Sequence, residues 1–267
     1  MLKTITLLLV LTISIISRAA TVDTITIRSQ AMQKNIKCVV IRPKTKKALP
    51  VVYLLHGFAG DFSNWIKKVP ELKAYADEFN VMIVCPDGAY ASWYFDSPVD
   101  STMRYETYIG TEVPAYIDAH YATIKDRSAR AITGLSMGGH GSLLIAFRHA
   151  ATFGACGSMS GGVEMQNLKT RFDVSKQLGD TITMAANWVN LSVSHVVENP
   201  PAQRLSIIID CGMDDIFFPE NHALHEKLLK LKIPHDYTER PGQHDWNYWK
   251  NSVRFQLLFF SNYFYRK

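Results

Sequence analysis

The feature of this sequence that most constrains its fold is the regular alternation of short apolar runs with helical patterns. Val51–Leu55 and Val81–Cys85 are continuous apolar runs, each closed by a turn signal, and such runs predict strands buried on both faces. Between them, apolar residues from Leu72 to Phe79 follow helical spacing. Repeated units of this kind predict the α/β class, with a mostly parallel central sheet that helices cover on both faces.

The same alternation continues along the rest of the chain. Near the N-terminus, Val22–Ile27 and Ile36–Ile41 are expected to pair as an opening hairpin. The remaining predicted strands are Ala129–Thr133, Phe153–Met159, Leu205–Cys211 and His235–Glu239. The remaining predicted helices are Tyr105–Ile117, with a kink or restart at Pro114, then Gly138–Ala150, Glu220–Leu231 and Trp246–Tyr263.

Residues 163–200 break this rhythm between two predicted strands. We interpret them as an insertion over the carboxyl edge of the sheet, where the ligand sites of α/β proteins form. The sequence shows no internal repeat and no linker. Residues 20–267 are therefore predicted to form a single domain that carries this insertion.

The first residues have the pattern of a secretory signal peptide. Lys3 precedes an almost wholly apolar run, Ile5–Ile16, and small residues follow at Ser17 and Ala19. Cleavage is predicted after Ala19, with cleavage after Ala20 as the alternative; a retained membrane anchor is the other interpretation. We therefore expect residues 1–19 to be removed and the protein to be exported, periplasmic or secreted, with no stable membrane insertion afterwards.

Charge and cysteine content narrow the function classes. The 29 Lys and Arg residues against 24 Asp and Glu residues give a small, scattered excess of positive charge, which does not support nucleic-acid binding. The four cysteines lie in or beside apolar β-like runs, so buried free thiols are expected, although three full disulfide pairings are open. Because no Cys or His spacing typical of a metal site occurs, no metal or other cofactor is predicted.

The most informative segment is Ala131–Gly141, which contains G-x-S-x-G between a predicted strand and a predicted helix. In this context the serine, Ser136, occupies a sharp turn that glycines at positions 134 and 138 make sterically feasible. Its hydroxyl is then raised above the sheet at a helix N-terminus, where the helix dipole favours developing negative charge. Ser136 is the predicted nucleophile.

A nucleophilic serine needs a base and an acid that orients the base. In this arrangement the acid and the histidine follow the serine along the chain, on loops after later strands. Asp214 and Asp215 follow one predicted strand and His244 follows the last. Asp215 is preferred to Asp214, and Asp210 is disfavoured because it lies within a strand. The competing histidines have positions on helices, at a strand start or in the insertion: His140, His149, His195, His222, His225 and His235.

An oxyanion hole needs two backbone N–H donors. Met137, which follows the nucleophile, is predicted to supply one of them. The loop after an earlier strand, His56–Gly60, supplies the other, and Phe58 is the expected donor. For His56 a structural hydrogen bond within this loop is preferred to a catalytic role.

Several of these segments together resemble the esterase D-like branch of the α/β hydrolases, whose members include S-formylglutathione hydrolases, tributyrin esterases, feruloyl and acetylxylan esterases, and mycolyltransferases. The matching motifs are Tyr53–Phe58, Ala91–Ser97, Gly134–Gly141, Gly212–Asp215 and His244. The resemblance runs from about Val51 to Trp249 and implies an α/β-hydrolase fold. It also implies Asp215 as the acid, three residues after Gly212, and the same oxyanion donors.

The substrate is inferred from this resemblance, from export and from aromatic residues in loops around the predicted site. We expect an exported serine carboxylesterase for feruloyl or acetyl esters on plant-wall polysaccharide. The alternatives are an acyltransferase of the mycolyltransferase type, a broad short-chain acyl esterase, and an inactive binding protein on a hydrolase scaffold. The predicted substrate contacts are Asp61, Trp65, Trp93, Phe217 and Trp246, with ordinary packing as the alternative role of the aromatic ones.

Overall fold

The structure is a computed structural model that describes residues 19–266. Except for Ala19, the predicted signal peptide lies outside the described residues. Eight strands form one sheet in the order β1-β2-β4-β3-β5-β6-β7-β8. The strands are β1 (Thr21–Ser29), β2 (Lys34–Arg42), β3 (Val51–Leu55), β4 (Met82–Pro86), β5 (Arg130–Gly134), β6 (Ala155–Met159), β7 (Ser206–Gly212) and β8 (Asp236–Arg240).

Ten α-helices connect or flank these strands in the described part of the chain. They are α1 (Asn64–Lys68), α2 (Leu72–Phe79), α3 (Tyr105–Thr107), α4 (Val113–His120), α5 (Met137–Arg148), α6 (Val174–Leu178), α7 (Ala185–Asn190), α8 (Val193–Val196), α9 (Phe218–Lys230) and α10 (Trp246–Tyr265). Three of them, α6, α7 and α8, lie between β6 and β7, where the sequence predicts an insertion at residues 163–200.

The sheet is mostly parallel, as the alternation of strands and helices predicts. Strand β1 pairs antiparallel with β2, and β2 pairs antiparallel with β4. From β4 through β3, β5, β6 and β7 to β8, every pairing is parallel. The carboxyl ends of these six strands therefore meet at one edge, and this edge carries the loops of the candidate site.

Helices cover both faces of the sheet, which confirms the predicted fold class. Apolar residues of α2 and α10, such as Leu72 and Leu257, pack on one face. Those of α4, α5 and α9, such as Ile117, Leu144 and Leu224, pack on the other. Strands β3 to β6 are buried along their whole length because helices lie on both sides of them. All four cysteines lie in strands as buried, unpaired thiols.

Pro114 lies where the sequence predicts a kink or a restart of the helix. A π-helical turn, Tyr108–Glu112, comes directly before α4, and Pro114 lies in the first turn of α4. A proline fits a place where the regular hydrogen-bond pattern already changes, because it has no N–H to continue the i to i−4 bonds. No helix among residues 19–266 is long and apolar enough to cross a membrane.

A buried polar network beneath the loop edge joins α10 to the strands. The Asp210 carboxylate on β7 accepts hydrogen bonds from Ser252 Oγ and, at 2.8 Å, from Gln256 Nε2, both on α10. Gln256 Oε1 accepts a hydrogen bond from Thr133 Oγ1 of β5 at 2.9 Å, and Arg240 of β8 lies 3.3 Å from Asp210. One network therefore connects α10 to the three strands whose following loops bear Ser136, Asp215 and His244.

Replacing Gln256 by leucine should destabilise the fold. The Asp210 carboxylate is buried and would lose one of its donors, so we expect the free energy of unfolding to fall by about 2 kcal/mol. Urea denaturation of the Gln256→Leu variant measures this change. The control is Gln166→Leu, at an exposed glutamine, which should change stability by less than about 0.5 kcal/mol. Equal stability of the two variants would show that the network contributes nothing.

Candidate active site

The turn between β5 and α5 holds Ser136 in a strained backbone conformation. Its φ is 54° and its ψ is −117°, a region that non-glycine residues rarely adopt. The turn is possible because its neighbours have no side chains: a Cβ on Gly134 would lie 2.6 Å from the carbonyl of Gly138, and a Cβ on Gly138 would lie 2.6 Å from the carbonyl oxygen of His56. Both glycines thus have the steric role that the sequence motif predicts.

Ser136, His244 and Asp215 form a hydrogen-bonded chain. Ser136 Oγ lies 2.9 Å from His244 Nε2, and His244 Nδ1 lies 2.9 Å from both carboxylate oxygens of Asp215. A carboxylate can only accept, so Nδ1 carries the proton and Nε2 offers its lone pair to the Ser136 hydroxyl. Asp215 is buried, and the N–H of Phe217 donates to it at 2.8 Å, which fixes the carboxylate. This arrangement can remove a proton from Ser136.

Asp215, and not Asp214, is the acid that reaches the histidine. The side chain of Asp214 is exposed, while its backbone N–H donates to the carbonyl of Gly242 at 2.9 Å. Asp210 has its carboxylate in the network with α10, on the strand itself.

The other candidate histidines have different partners. His149 pairs with Glu106, and His195 in the insertion lies between Glu164 and Glu198. His225 contacts His235 and stacks on Tyr237, on the side of α9 that faces β8, while His222 contacts Glu239. Among the described residues, His244 is the histidine that contacts Ser136.

The backbone N–H groups of two residues near Ser136 that the sequence singles out have no hydrogen-bond acceptor among residues 19–266. They belong to Phe58 and Met137, the two predicted oxyanion donors. The loop that carries Phe58 lies against the turn, since a Cβ on Gly57 would be 3.4 Å from Ser136 Cβ. Free backbone donors close to a helix N-terminus can stabilise negative charge that develops on an oxygen beside Ser136.

His56 has the structural role that the sequence analysis prefers. Its Nε2 accepts a hydrogen bond from the N–H of Gly88 at 2.8 Å, so its Nδ1–H donates to the carbonyl of Gly57, also at 2.8 Å. Burial lowers the pKa of this imidazole, which is therefore neutral near pH 7. His56 thereby joins the loop after β3 to the loop after β4 and supports the Phe58 backbone.

Two of the predicted substrate contacts are buried inside the protein. Trp65 is 1% exposed and donates its indole N–H to the carbonyl of Leu55 at 2.9 Å. Trp93 is also 1% exposed, and its indole N–H donates to the carbonyl of Phe172 at 2.9 Å. With no open face, these tryptophans hold neighbouring loops in place rather than offering a surface to a ligand. The sequence could not show this, because both lie in segments that follow strands near the predicted site.

The remaining predicted contacts lie closer to the surface or to the histidine. The buried ring of Phe217 packs edge-on against His244, with 5.0 Å between centroids. Trp246 is half-buried and packs against Trp65. Asp61 accepts hydrogen bonds from the N–H and the hydroxyl of Ser63. Partial burial raises the pKa of the Asp61 carboxyl, but these hydrogen bonds outweigh it and hold the pKa below its usual value. Its carboxylate thus stabilises the start of α1.

Three aromatic residues that the sequence analysis did not single out also lie at the site. Trp249 packs edge-on against His244 at 4.9 Å between centroids, Tyr90 packs against Phe58 at 4.9 Å, and Phe172 packs against Phe58 at 5.4 Å. Phe172 lies in the insertion, where the sequence has no periodic pattern from which the direction of a side chain could be predicted. Trp249 could have been found, since it lies in the first turns of the helix that begins just after His244.

Within the described part of the chain, no three His, Cys, Asp or Glu side chains come together in a way that could hold a metal ion.

A buried histidine lies one helical turn after Ser136. Both ring nitrogens of His140 lack a hydrogen-bond partner among the described residues, and the ring packs between Trp93 and Phe95. Burial, with a smaller contribution from the charge of Arg148, lowers the pKa of His140 to about 3. Between about pH 6.5 and about pH 3, the unfolded chain therefore protonates this imidazole while the folded protein keeps it neutral.

This histidine should make the fold less stable in acid. The unfolded pKa of about 6.5 exceeds the folded one, so stability is complete above about pH 6.5 and falls as the pH drops toward 3. Between about pH 7.5 and about pH 5, wild-type protein should lose about 2 kcal/mol more than the His140→Leu variant, as measured by urea denaturation. Identical losses in the two proteins would contradict this role for His140.

Comparison with known proteins agrees with this geometry. The Esterase family profile matches residues 29–260. An acetyl esterase of Caldicellulosiruptor saccharolyticus is 24% identical over 252 residues, which cover 84% of this chain and 92% of that protein. A diacylglycerol acyltransferase/mycolyltransferase of Mycobacterium gordonae is 26% identical over 270 residues, covering 87% of this chain and 78% of that protein.

The fold is also shared with solved structures. That of a ferulic acid esterase matches with a TM-score of 0.79 at 27% identity, covering 92% of this chain and 99% of that one. The family match spans most of the chain, including the strand–serine–helix turn and the loops that bear Asp215 and His244. The chain therefore belongs to the Esterase family, in the esterase D-like branch of the α/β hydrolases, and is a carboxylic ester hydrolase.

Proposed function

We propose that this protein is an exported serine esterase in which Ser136 is the nucleophile, His244 the general base and Asp215 the acid that orients it. The observation that carries the proposal is the hydrogen-bonded chain of these three side chains, with both of its links at 2.9 Å. The strained Ser136 backbone supports it further, because such strain is concentrated at functional sites.

Acylation begins when Ser136 Oγ attacks the ester carbonyl and His244 Nε2 takes the hydroxyl proton. The new C–O bond forms as the carbonyl electron pair moves to oxygen, and the N–H groups of Phe58 and Met137 donate to the resulting oxyanion. Asp215 stabilises the imidazolium and holds its orientation. The oxyanion then collapses, the bond to the alcohol breaks, and His244 returns its proton to the departing alcohol oxygen.

Deacylation repeats these steps with water. His244 takes a proton from a water molecule, whose oxygen attacks the acyl carbonyl on Ser136. Collapse of the second oxyanion breaks the bond to Ser136 Oγ, which regains its proton from His244. The products are a carboxylic acid and the original enzyme.

For the substrate we propose feruloyl or acetyl esters on plant-wall polysaccharide. Acetyl esterase and ferulic acid esterase are the names of two of the proteins to which this chain is similar. The aromatic residues near His244 and Phe58 suit an organic acyl group. The predicted export fits a polymeric substrate. Cleavage of the signal peptide after Ala19 would leave the new amino terminus at Ala20, 2.8 Å from the Asp77 carboxylate.

The nucleophile is tested by Ser136→Ala. We expect ester hydrolysis to fall by several orders of magnitude while the circular dichroism spectrum is unchanged, since only the attacking oxygen is lost. The matched control is Ser160→Ala, at a second buried serine with positive φ, which should retain most activity. Near wild-type hydrolysis of p-nitrophenyl acetate by the Ser136 variant would show that another residue is the nucleophile.

The acid is tested by comparing Asp215→Asn with Asp214→Asn. The first change removes the acceptor that holds the proton on His244 Nδ1, so kcat should drop by about 10⁴-fold. The second changes an exposed side chain and should leave kcat within about threefold of wild type. The reverse order of the two variants in steady-state kinetics would overturn the assignment.

An acyltransferase is the second candidate. It is favoured by the similarity to a mycolyltransferase and by the low exposure of Ser136, which is 7%. The two activities differ in the molecule that accepts the acyl group. With p-nitrophenyl acetate and excess xylose, we expect free acetate to be the main product in mass spectrometry. If acetylated sugar were the main product, the protein would be an acyltransferase rather than an esterase.

A further inference from the structure

The insertion between β6 and β7 brings one aromatic ring to the candidate site. Phe172 packs against Phe58, with 5.4 Å between ring centroids, and against Phe217, with 6.1 Å. Phe217 in turn packs on His244. Aromatic rings at these separations are in contact, so Phe172 closes the gap between the loop that carries the free Phe58 N–H and the loop that carries Asp215.

The backbone of Phe172 is held in an unusual conformation. Phe172 and Asp173 have φ values of 54° and 55°, two consecutive left-handed residues without glycine. The buried indole N–H of Trp93 donates to the Phe172 carbonyl at 2.9 Å, and this bond anchors the insertion to the loop after β4. Strain that the surroundings maintain in this way points to a function for the residue that carries it.

The ring of Phe172 has neighbours on several sides. The Arg171 guanidinium lies over it, 4.9 Å from the centroid, and the Trp93 ring lies 6.4 Å away. With Phe58 and Phe217 these groups leave little of the ring for stacking with a substrate. Phe172 therefore fills the space between the Phe58 loop and Phe217, next to the ring that packs on His244, rather than forming an open aromatic platform.

We propose that Phe172 determines the acyl specificity of this esterase by limiting the acyl group to a small one, so that of the two acyl groups proposed above it accepts acetyl and not feruloyl. The inference rests on the proposed function of Ser136. In an ester attached to a polymer, the alcohol portion has to extend into open solvent, so the closed side of the site is left for the acyl group. A bulky acyl group, such as a long chain or a feruloyl ring, then meets the Phe172 side chain.

Acyl-chain selectivity of variants tests this proposal. The full chain is assayed with p-nitrophenyl acetate, butyrate and octanoate and with methyl ferulate, as wild type, Phe172→Ala and Phe172→Leu. Wild type should prefer acetate. The alanine variant should gain kcat/KM for octanoate and ferulate, so that the ratio of acetate to octanoate falls by about tenfold or more, with leucine intermediate. The control is Ile182→Ala, in the same insertion and 84% exposed, which should keep the wild-type ratio.

Two results would overturn the proposal. One is an unchanged ratio in both Phe172 variants; the other is a preferential loss of activity on ferulate, which would make Phe172 a stacking surface. Failure of the proposed function is a separate outcome, since the wild-type protein would then hydrolyse none of the four esters. If the alanine variant does not fold, the leucine variant decides the question.

Discussion

The site depends on one close contact between two backbone segments, the loop after β3 and the first turn of α5. A Cβ on Gly138 would lie 2.6 Å from the carbonyl oxygen of His56 and 2.7 Å from that of Leu55, so a larger residue cannot occupy this position without moving one of the segments. The contact brings the loop that carries Phe58 against the turn that carries Ser136 and Met137 at the start of α5. Acyl transfer needs backbone donors and a helix N-terminus close to the nucleophile, and this contact keeps the Phe58 loop, the start of α5 and the Ser136 hydroxyl in one region.

Backbone strain is concentrated on the same edge of the sheet. Eight of the eleven non-glycine residues with positive φ in the described chain lie in the loops that follow β3, β4, β5 and β6: Ala59, Ala89, Trp93, Tyr94, Ser136, Ser160, Phe172 and Asp173. Such conformations persist only where the surrounding structure enforces them. Hydrogen bonds supply that support. His56 joins the loops after β3 and β4, the Trp93 indole joins the loop after β4 to the insertion, and the Asp210 network joins β7 to α10 below the loops.

The sequence could predict whatever depends on local pattern. Continuous apolar runs such as Val51–Leu55, closed by turn signals, predict strands covered on both faces, and a serine between glycines after such a strand predicts a sharp turn; the structure has both. The sequence analysis prefers Asp215 to Asp214, the resemblance to known esterases implies the same residue, and the choice agrees with the geometry around His244. The sequence could not indicate that Trp65 and Trp93 are buried, because each packs against a residue far away in the chain, Trp65 against Trp246 and Trp93 against Phe172. Phe172 was missed for a similar reason, since its neighbours come from three different loops.

The central claim is that Ser136 is the residue that becomes acylated. It is tested most directly by labelling the protein with a fluorophosphonate and locating the adduct by peptide mass spectrometry. The account predicts one adduct per chain, on the peptide that contains Ser136, and no labelling of the Ser136→Ala variant. An adduct on another serine, such as the buried Ser160, or persistent labelling of that variant, would contradict it.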